Sequence, residues 1–299
     1  VRILFSMILA INAFLPLFSE TSSFEGRVEN ISHITKWLRE ITFKVPEDSL
    51  KGLFPGCFLR LHVPPYQTNT SDWKEPIPDR FQKSWEKFNF FGHKLDRRVL
   101  DPGLSRPFSV VRYDEKLSTI TFLVKIVWPT EPYPWWGVGS SYVFSLKPGD
   151  EVSLSGPFGH PHDVTRMQPL VFIIGGCGIA HARSLIDYEL EEMNSIVPIV
   201  LLYAAHSMEE AVYHKHFLEL RDRYPNFHFR LFLVEDINEC DCVFKKSDMM
   251  QVIKEDYLET VSDMLNTVYH LCGREKNNQL IKSILIEKGV QEEKIIIDV

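Results

Sequence analysis

At about Gly159 the hydrophobic pattern of this chain changes period, and that change governs what it can fold into. Upstream, residues 24–30, 37–45, 57–63, 106–113, 119–127 and 151–155 form short runs, most of them rich in β-branched and aromatic residues. Turn formers such as Pro46-Glu47-Asp48, Phe54-Pro55-Gly56 and Lys147-Pro148-Gly149-Asp150 separate them. Short strands with regular turns predict a small antiparallel β-barrel. Downstream, 170–174, 198–203, 227–234, 268–272 and 295–298 are mostly apolar runs, as expected of strands buried on both faces. Helical patterns over 179–193, 208–221, 247–264 and 278–288 alternate with them, which implies a parallel, doubly wound sheet. The expected architecture is an N-terminal antiparallel barrel over 24–160 followed by a C-terminal α/β unit over 167–299, and 299 residues suffice for both cores.

Two segments fall outside this scheme. Residues 1–20 are almost wholly apolar with one basic residue, Arg2, and read as a membrane anchor or signal. Residues 64–103 form a long, aromatic, irregular insertion in the barrel, a length usually given to function or to a partner surface. A short helix is expected at 142–146, capped by Ser140 or Ser141. The net charge of −7 argues against nucleic acid as the partner. The five cysteines are Cys57, Cys177, Cys240, Cys242 and Cys272. They have neither a disulfide framework nor the spacing of an iron–sulfur cluster, which fits a reducing compartment. No metal ligand set is legible, since Cys240-x-Cys242 lacks a second pair.

Four local patterns carry chemistry. Gly175-Gly176-Cys177-Gly178 stands at a strand-to-helix turn, where backbone N–H groups and the helix dipole meet a pyrophosphate. Arg106 and Phe108 share one face of a strand, a guanidinium for phosphate beside a flat ring. Gly137-Val138-Gly139-Ser140-Ser141 opens a short helix and offers a second anion site. Cys272-Gly273 ends a sheet strand, where ligands of open α/β sheets bind.

In this order the patterns resemble the ferredoxin–NADP⁺ reductase superfamily. More closely, the chain is similar to one family within it, the reductase part of the F subunits of sodium-translocating NADH:quinone reductases. Trp85-Glu86-Lys87-Phe88-Asn89-Phe90-Phe91, Arg106-Pro107-Phe108-Ser109, the stretch from Ser140 to Asp150, Ser155-Gly156-Pro157-Phe158-Gly159 and Ala182-Arg183-Ser184 carry the likeness. It implies a flavoprotein that holds FAD on the barrel, accepts hydride from NADH, and passes electrons to a quinone or respiratory partner. Arg106, Gly139, Ser140 and Ser141 would bind FAD phosphates, Phe108 would stack on the flavin, and Ser109 would hydrogen-bond near its N5. Gly175, Gly176, Cys177 and Gly178 would carry the NADH pyrophosphate. His206 and Ser207 would lie toward its ribose or adenine, and Cys272 and Gly273 would lie beside the nicotinamide. Ser109 and Cys272 are the expected catalytic residues. Partners would be membrane-embedded respiratory proteins or a separate electron carrier, with the catalytic half facing the cytoplasm. The same residues admit two other readings: a non-catalytic FAD-binding member of a membrane complex, and the reductase component of a multicomponent oxygenase.

The chain departs from the family pattern on the nicotinamide side. Ile174 stands in place of the first glycine, His181 in place of a proline, and Ala204-Ala205-His206-Ser207 in place of a Gly-Ala-Arg-Ser-like stretch. Cys272-Gly273-Arg274-Glu275 stands in place of Cys-Gly-Pro-Pro. The apolar segment runs almost directly into the first strand, without the family's two-iron ferredoxin domain between them.

Overall fold

The computed structural model describes residues 22–67, 79–87, 98–99, 103–129, 136–159, 161, 168–234, 243–245 and 264–298. The apolar segment 1–20, most of the insertion 64–103 and nearly all of the helix expected at 247–264 lie outside these residues. No helix among the described residues is long and apolar enough to cross a membrane.

The alternating runs of the N-terminal half become β1 (Ser22–Thr35), β2 (Leu38–Lys44), β3 (Phe58–His62), β4 (Ser105–Asp114), β5 (Thr119–Lys125) and β6 (Glu151–Phe158). They close as an antiparallel barrel in the order β1-β2-β5-β4-β3-β6, which leaves no edge open to another chain. Ile41, Phe43, Leu59, Leu61, Val110, Ile120, Phe122 and Leu154 fill its interior. Each such side chain contributes roughly 1.5–3 kcal/mol by leaving water.

Helix α1 (Val138–Ser145) lies against the barrel. It begins four residues before the expected start, and its N-cap is Gly137 rather than a serine. The reason is local: Ser140 Oγ accepts the Val127 N–H at 3.0 Å and donates to the Gly137 carbonyl at 3.0 Å, so its hydroxyl ties the helix to the segment that follows β5. From β2, the buried guanidinium of Arg39 donates to the Val143 carbonyl and sits 4.0 Å over the Phe144 ring. Burial pulls this guanidinium down to about 10. Trp37, Trp85, Trp128 and Trp136 form an aromatic cluster beside the same helix, with Trp85 donating to the Pro129 carbonyl at 3.2 Å. Trp85, with Tyr66, whose hydroxyl donates to the Ser141 carbonyl at 3.1 Å, thus ties the aromatic insertion into the described fold.

The C-terminal half is a parallel sheet of β7 (Leu170–Gly175), β8 (Ile199–Ala205), β9 (Phe227–Leu233), β10 (Val243–Lys245), β11 (Val268–Cys272) and β12 (Ile295–Asp298). Their order is β10-β9-β8-β7-β11-β12, one strand more than the pattern predicts. The order reverses between β7 and β11, which is where ligands of such sheets bind. Helices α2 (Ile179–Asp187), α3 (His214–Arg223) and α4 (Glu275–Glu287) connect the strands. α2 continues as a π-turn through Tyr188–Glu192, and α3 starts six residues later than its apolar pattern suggests, after Tyr213 at φ +64°.

Barrel and sheet meet along α2, which packs on β4. The Gly56 N–H donates to Ser184 Oγ at 3.2 Å, and the Gly56 carbonyl lies 3.0 Å from His181 Nδ1. Gly56 has φ +80°, and a Cβ there would stand 2.9 Å from the His181 ring, so both backbone and space require glycine. Further along the seam, Tyr213 donates to Glu40 Oε1 at 2.6 Å, and Arg112 holds both Glu40 oxygens at 2.7 and 3.1 Å. Burial alone would raise Glu40, but hydrogen bonds from Arg112 and Tyr213 and the charges of Arg112 and Arg183 hold it below the usual carboxylate range. Lys125 of β5 pairs with Glu210 across the same seam.

Candidate functional site

Two of the sequence patterns come together on the barrel. α1 starts directly over β4: a Cβ at Gly139 would lie 2.7 Å from Arg106 Cγ, 2.9 Å from Arg106 Cβ and 3.6 Å from the tip of Phe108. The absence of a side chain at Gly139 is what lets the arginine stem cross the helix N-terminus. Arg106 donates to its neighbour's carbonyl, Ser105 O, at 2.8 Å, and among the described residues no carboxylate pairs with it. Two residues beyond Gly139 along α1, Ser141 is buried, 4% exposed, and its Oγ has no hydrogen-bond partner. A guanidinium with no carboxylate partner among the described residues, a helix N-terminus and a buried hydroxyl are groups that an anion site would use. Phe108 is half-buried and stacks one face on Phe122, centroids 5.7 Å apart. Ser109 is also half-buried and pairs in register with Phe58.

The other two patterns come together on the sheet. Gly175 and Gly273 lie so close that a Cβ on Gly273 would stand 3.6 Å from Gly175 Cα. A Cβ on Gly178 would meet Cys272 at 2.6 Å from Sγ, 2.9 Å from Cβ and 3.0 Å from the carbonyl oxygen. Gly176 has φ +58° and nothing within 4 Å of where a Cβ would be, so this glycine faces open space in a backbone state that other residues resist. His206 and Ser207 follow the end of β8, one strand over from Gly175. Cys177 turns toward the barrel, into a crevice lined with Leu123, Lys125, Ala205 and Glu210.

A family model described as "Oxidoreductase NAD-binding domain" matches residues 172–282, the stretch that holds the glycine turn and Cys272. The chain is also 32% identical to the F subunit of the Na(+)-translocating NADH-quinone reductase of Chlamydia felis, covering 94% of this chain and 68% of the relative. The chain belongs to the family of these F subunits. The F subunit of Klebsiella pneumoniae is 31% identical, over 88% of this chain and 64% of the relative. Among solved structures, a ferredoxin NADP+ reductase from Neisseria gonorrhoeae with bound FAD and NADP matches with a TM-score of 0.65 at 18% identity, covering 93% of this chain and 99% of that one. The cytochrome b5 reductase domain of Ulva prolifera nitrate reductase matches with a TM-score of 0.67 at 16% identity, covering 94% and 98%. These likenesses fix the fold as a ferredoxin-reductase-like pair of barrel and parallel sheet.

Burial pushes Cys177 up to about 11. Burial, with the neighbouring charge of Asp298 and Cys177 behind it, pushes Cys272 up to about 12. Thiols held that high stay protonated at neutral pH. The expected result is slow labelling: iodoacetamide at neutral pH leaves the Cys177 and Cys272 peptides unmodified in the folded chain and labels both after unfolding, read by mass spectrometry. Folding holds these thiols protonated. Their contribution to stability is therefore complete below the ordinary thiol range and falls as pH rises toward 11–12.

Sequence reasoning missed the seam residues Glu40, Lys125, Glu210 and Tyr213, and the cluster of His181, His270 and Asp298. The seam pairs join residues 85 and 173 positions apart, which no local pattern reveals. The Ser140 hydroxyl accepts from the Val127 N–H and donates to the Gly137 carbonyl.

Proposed function

We propose that this chain is a flavoprotein that binds FAD at the mouth of the barrel and NADH at the glycine turn, and delivers electrons to a partner of a membrane-bound respiratory complex. The observation that carries it is Arg106, lying across Gly139 at the N-terminus of α1 with no carboxylate paired to it among the described residues, while the buried Ser141 hydroxyl two residues along the same helix has no partner. A diphosphate satisfies all three groups at once. When bound, FAD would supply the hydride-accepting and electron-splitting chemistry, which side chains lack.

The chain's own residues do the rest. Arg106 and the first N–H groups of α1 hold the pyrophosphate, and Ser141 Oγ donates to it. Phe108 is backed by Phe122, so its position is fixed and its ring flanks the isoalloxazine. Ser109 offers a hydroxyl toward the flavin edge. Gly175 to Gly178 present backbone N–H groups to the dinucleotide pyrophosphate, Gly178 lets Cys272 close in behind the nicotinamide, and His206 and Ser207 border the ribose. Catalysis then rests on proximity and orientation across the seam between barrel and sheet. The relatives' name places them in a sodium-translocating NADH-quinone reductase, so membrane proteins on the quinone side are the proposed partners, with the reductase half facing the cytoplasm, where NADH is.

The test is the visible spectrum of the purified chain, followed by anaerobic addition of NADH. A yellow protein whose flavin band bleaches is expected. Yellow protein that does not bleach reassigns the chain as a non-catalytic flavin-binding member of its complex. A colourless chain that FAD fails to reconstitute overturns the proposal.

A further inference from the structure

Behind the glycine turn lies a cluster that hydride transfer does not use. His181 in the first turn of α2, His270 on β11 and Asp298 on β12 bring three potential ligand atoms within 4.8 Å of one another. His181 and His270 are buried, and the Asp298 side chain is 16% exposed. His181 Nε2 lies 3.0 Å from Asp298 Oδ2, and His270 Nδ1 lies 3.3 Å from the same oxygen.

The hydrogen bonding of His181 makes this arrangement informative. Its Nδ1 faces the Gly56 carbonyl at 3.0 Å. A carbonyl oxygen only accepts, so Nδ1 carries the ring proton and the neutral imidazole leaves Nε2 as a bare lone pair. That lone pair faces a carboxylate oxygen at 3.0 Å, two electron-rich atoms pressed together with little water between them. Only a positive charge makes the contact favourable. A backbone carbonyl on the far nitrogen is also the usual support that orients a metal-binding histidine.

We propose that His181, His270 and Asp298 form a site for a divalent transition cation of the zinc type, with a fourth position left for water. Two imidazoles and a carboxylate suit zinc, with bonds of about 2.0–2.2 Å. Tetrahedral bonds of that length place ligand atoms about 3.3–3.6 Å apart. The separations of 3.0 and 3.3 Å to Asp298 already come near this, and all three ligand atoms lie within 4.8 Å of one another, so ligation asks the side chains to rotate inward without a backbone change. The ion would tie the first turn of α2 to the ends of β11 and β12, and through His181 to Gly56 of the barrel. It would brace the helix that opens after the glycine turn, and it takes no part in electron transfer.

The experiment uses the full chain, cleared of metal with a chelator and titrated with Zn²⁺ against a chromophoric competitor. A single tightly held Zn²⁺ per chain is expected, with a raised thermal unfolding midpoint. The zinc absorption-edge spectrum should contain imidazole and oxygen scattering without sulfur. His181→Gln and Asp298→Asn should each weaken uptake by roughly 100-fold or more, since even supporting residues of metal sites cost 10–100-fold. Thermal melts in chelator check that these variants fold, and if they do not, the wild-type edge spectrum decides. No stoichiometric uptake would mean that a proton alone bridges the cluster and would overturn the proposal. A sulfur shell, or uptake unchanged in folded variants, would overturn it as well.

Discussion

Exchanging Arg106 for alanine is expected to weaken FAD binding by roughly 100-fold, about 3 kcal/mol, while the barrel stays folded. The stem of Arg106 lies on the surface of β4 against the start of α1, not in the barrel interior, so its loss opens no core cavity. What is lost is a charge at the helix N-terminus that has no carboxylate paired to it among the described residues. Gly139→Val should reach the same end by another route. Its Cβ would have to occupy space 2.7 Å from Arg106 Cγ, so either the arginine swings away or the helix start lifts. The measurement is flavin absorbance retained after desalting, followed by titration with FAD to obtain the affinity. If Arg106→Ala keeps its flavin with unchanged affinity, the pyrophosphate is not held where Arg106, Gly139 and Ser141 meet. A lysine at position 106 should recover only part of the affinity, because an ammonium cannot grip two oxygens in one plane.

The flavin half of this reading is legible in the sequence because its parts are local. Arg106 and Phe108 stand two apart on one strand, and Gly139 and Ser141 lie within one turn of a helix. Only the pairing of β4 with the start of α1 has to come from three dimensions. The helix boundary departs from its sequence signal for a physical reason: Ser140 spends its hydroxyl on Val127 and Gly137, so the cap falls earlier and Ser141 is the serine left unsatisfied. On the sheet side the strands over 268–272 and 295–298 match the apolar runs residue for residue. The contacts between them carry no periodic signature. His181, His270 and Asp298 are drawn together by strand order, with β11 between β7 and β12, and that order is not written in any single segment. In the sequence His181 is only a departure from a family proline; the structure gives it a carbonyl of the barrel on one side and a carboxylate on the other.

Placing a side chain at Gly178 should separate the two halves of the reaction. Gly178→Val is expected to leave FAD binding intact and to slow NADH-dependent bleaching by at least roughly 100-fold, since a displacement near 1 Å in a reacting pair has that cost. The reason is the tightness of this contact. The added Cβ would stand 2.6 Å from Cys272 Sγ, 2.9 Å from its Cβ and 3.0 Å from its carbonyl oxygen. The first of these can yield by a rotamer change, but the other two are fixed to β11. β11 is pinned between β7 and β12 in a sheet with a buried apolar core, so the glycine turn must move instead. The turn carries the N–H groups proposed for the dinucleotide, and its shift moves the nicotinamide relative to the flavin. Gly178→Ala is the milder probe, and it allows a compensation test. In a Cys272→Gly background the sulfur and Cβ contacts vanish, and alanine at 178 should then cost much less than in the parent chain. A double-mutant cycle on the rate of flavin reduction measures that coupling. Strong coupling assigns the effect to the contact between the turn and the end of β11. Strict additivity would mean that Gly178 acts through its own backbone freedom, and that Cys272 does not set the depth of the nicotinamide pocket.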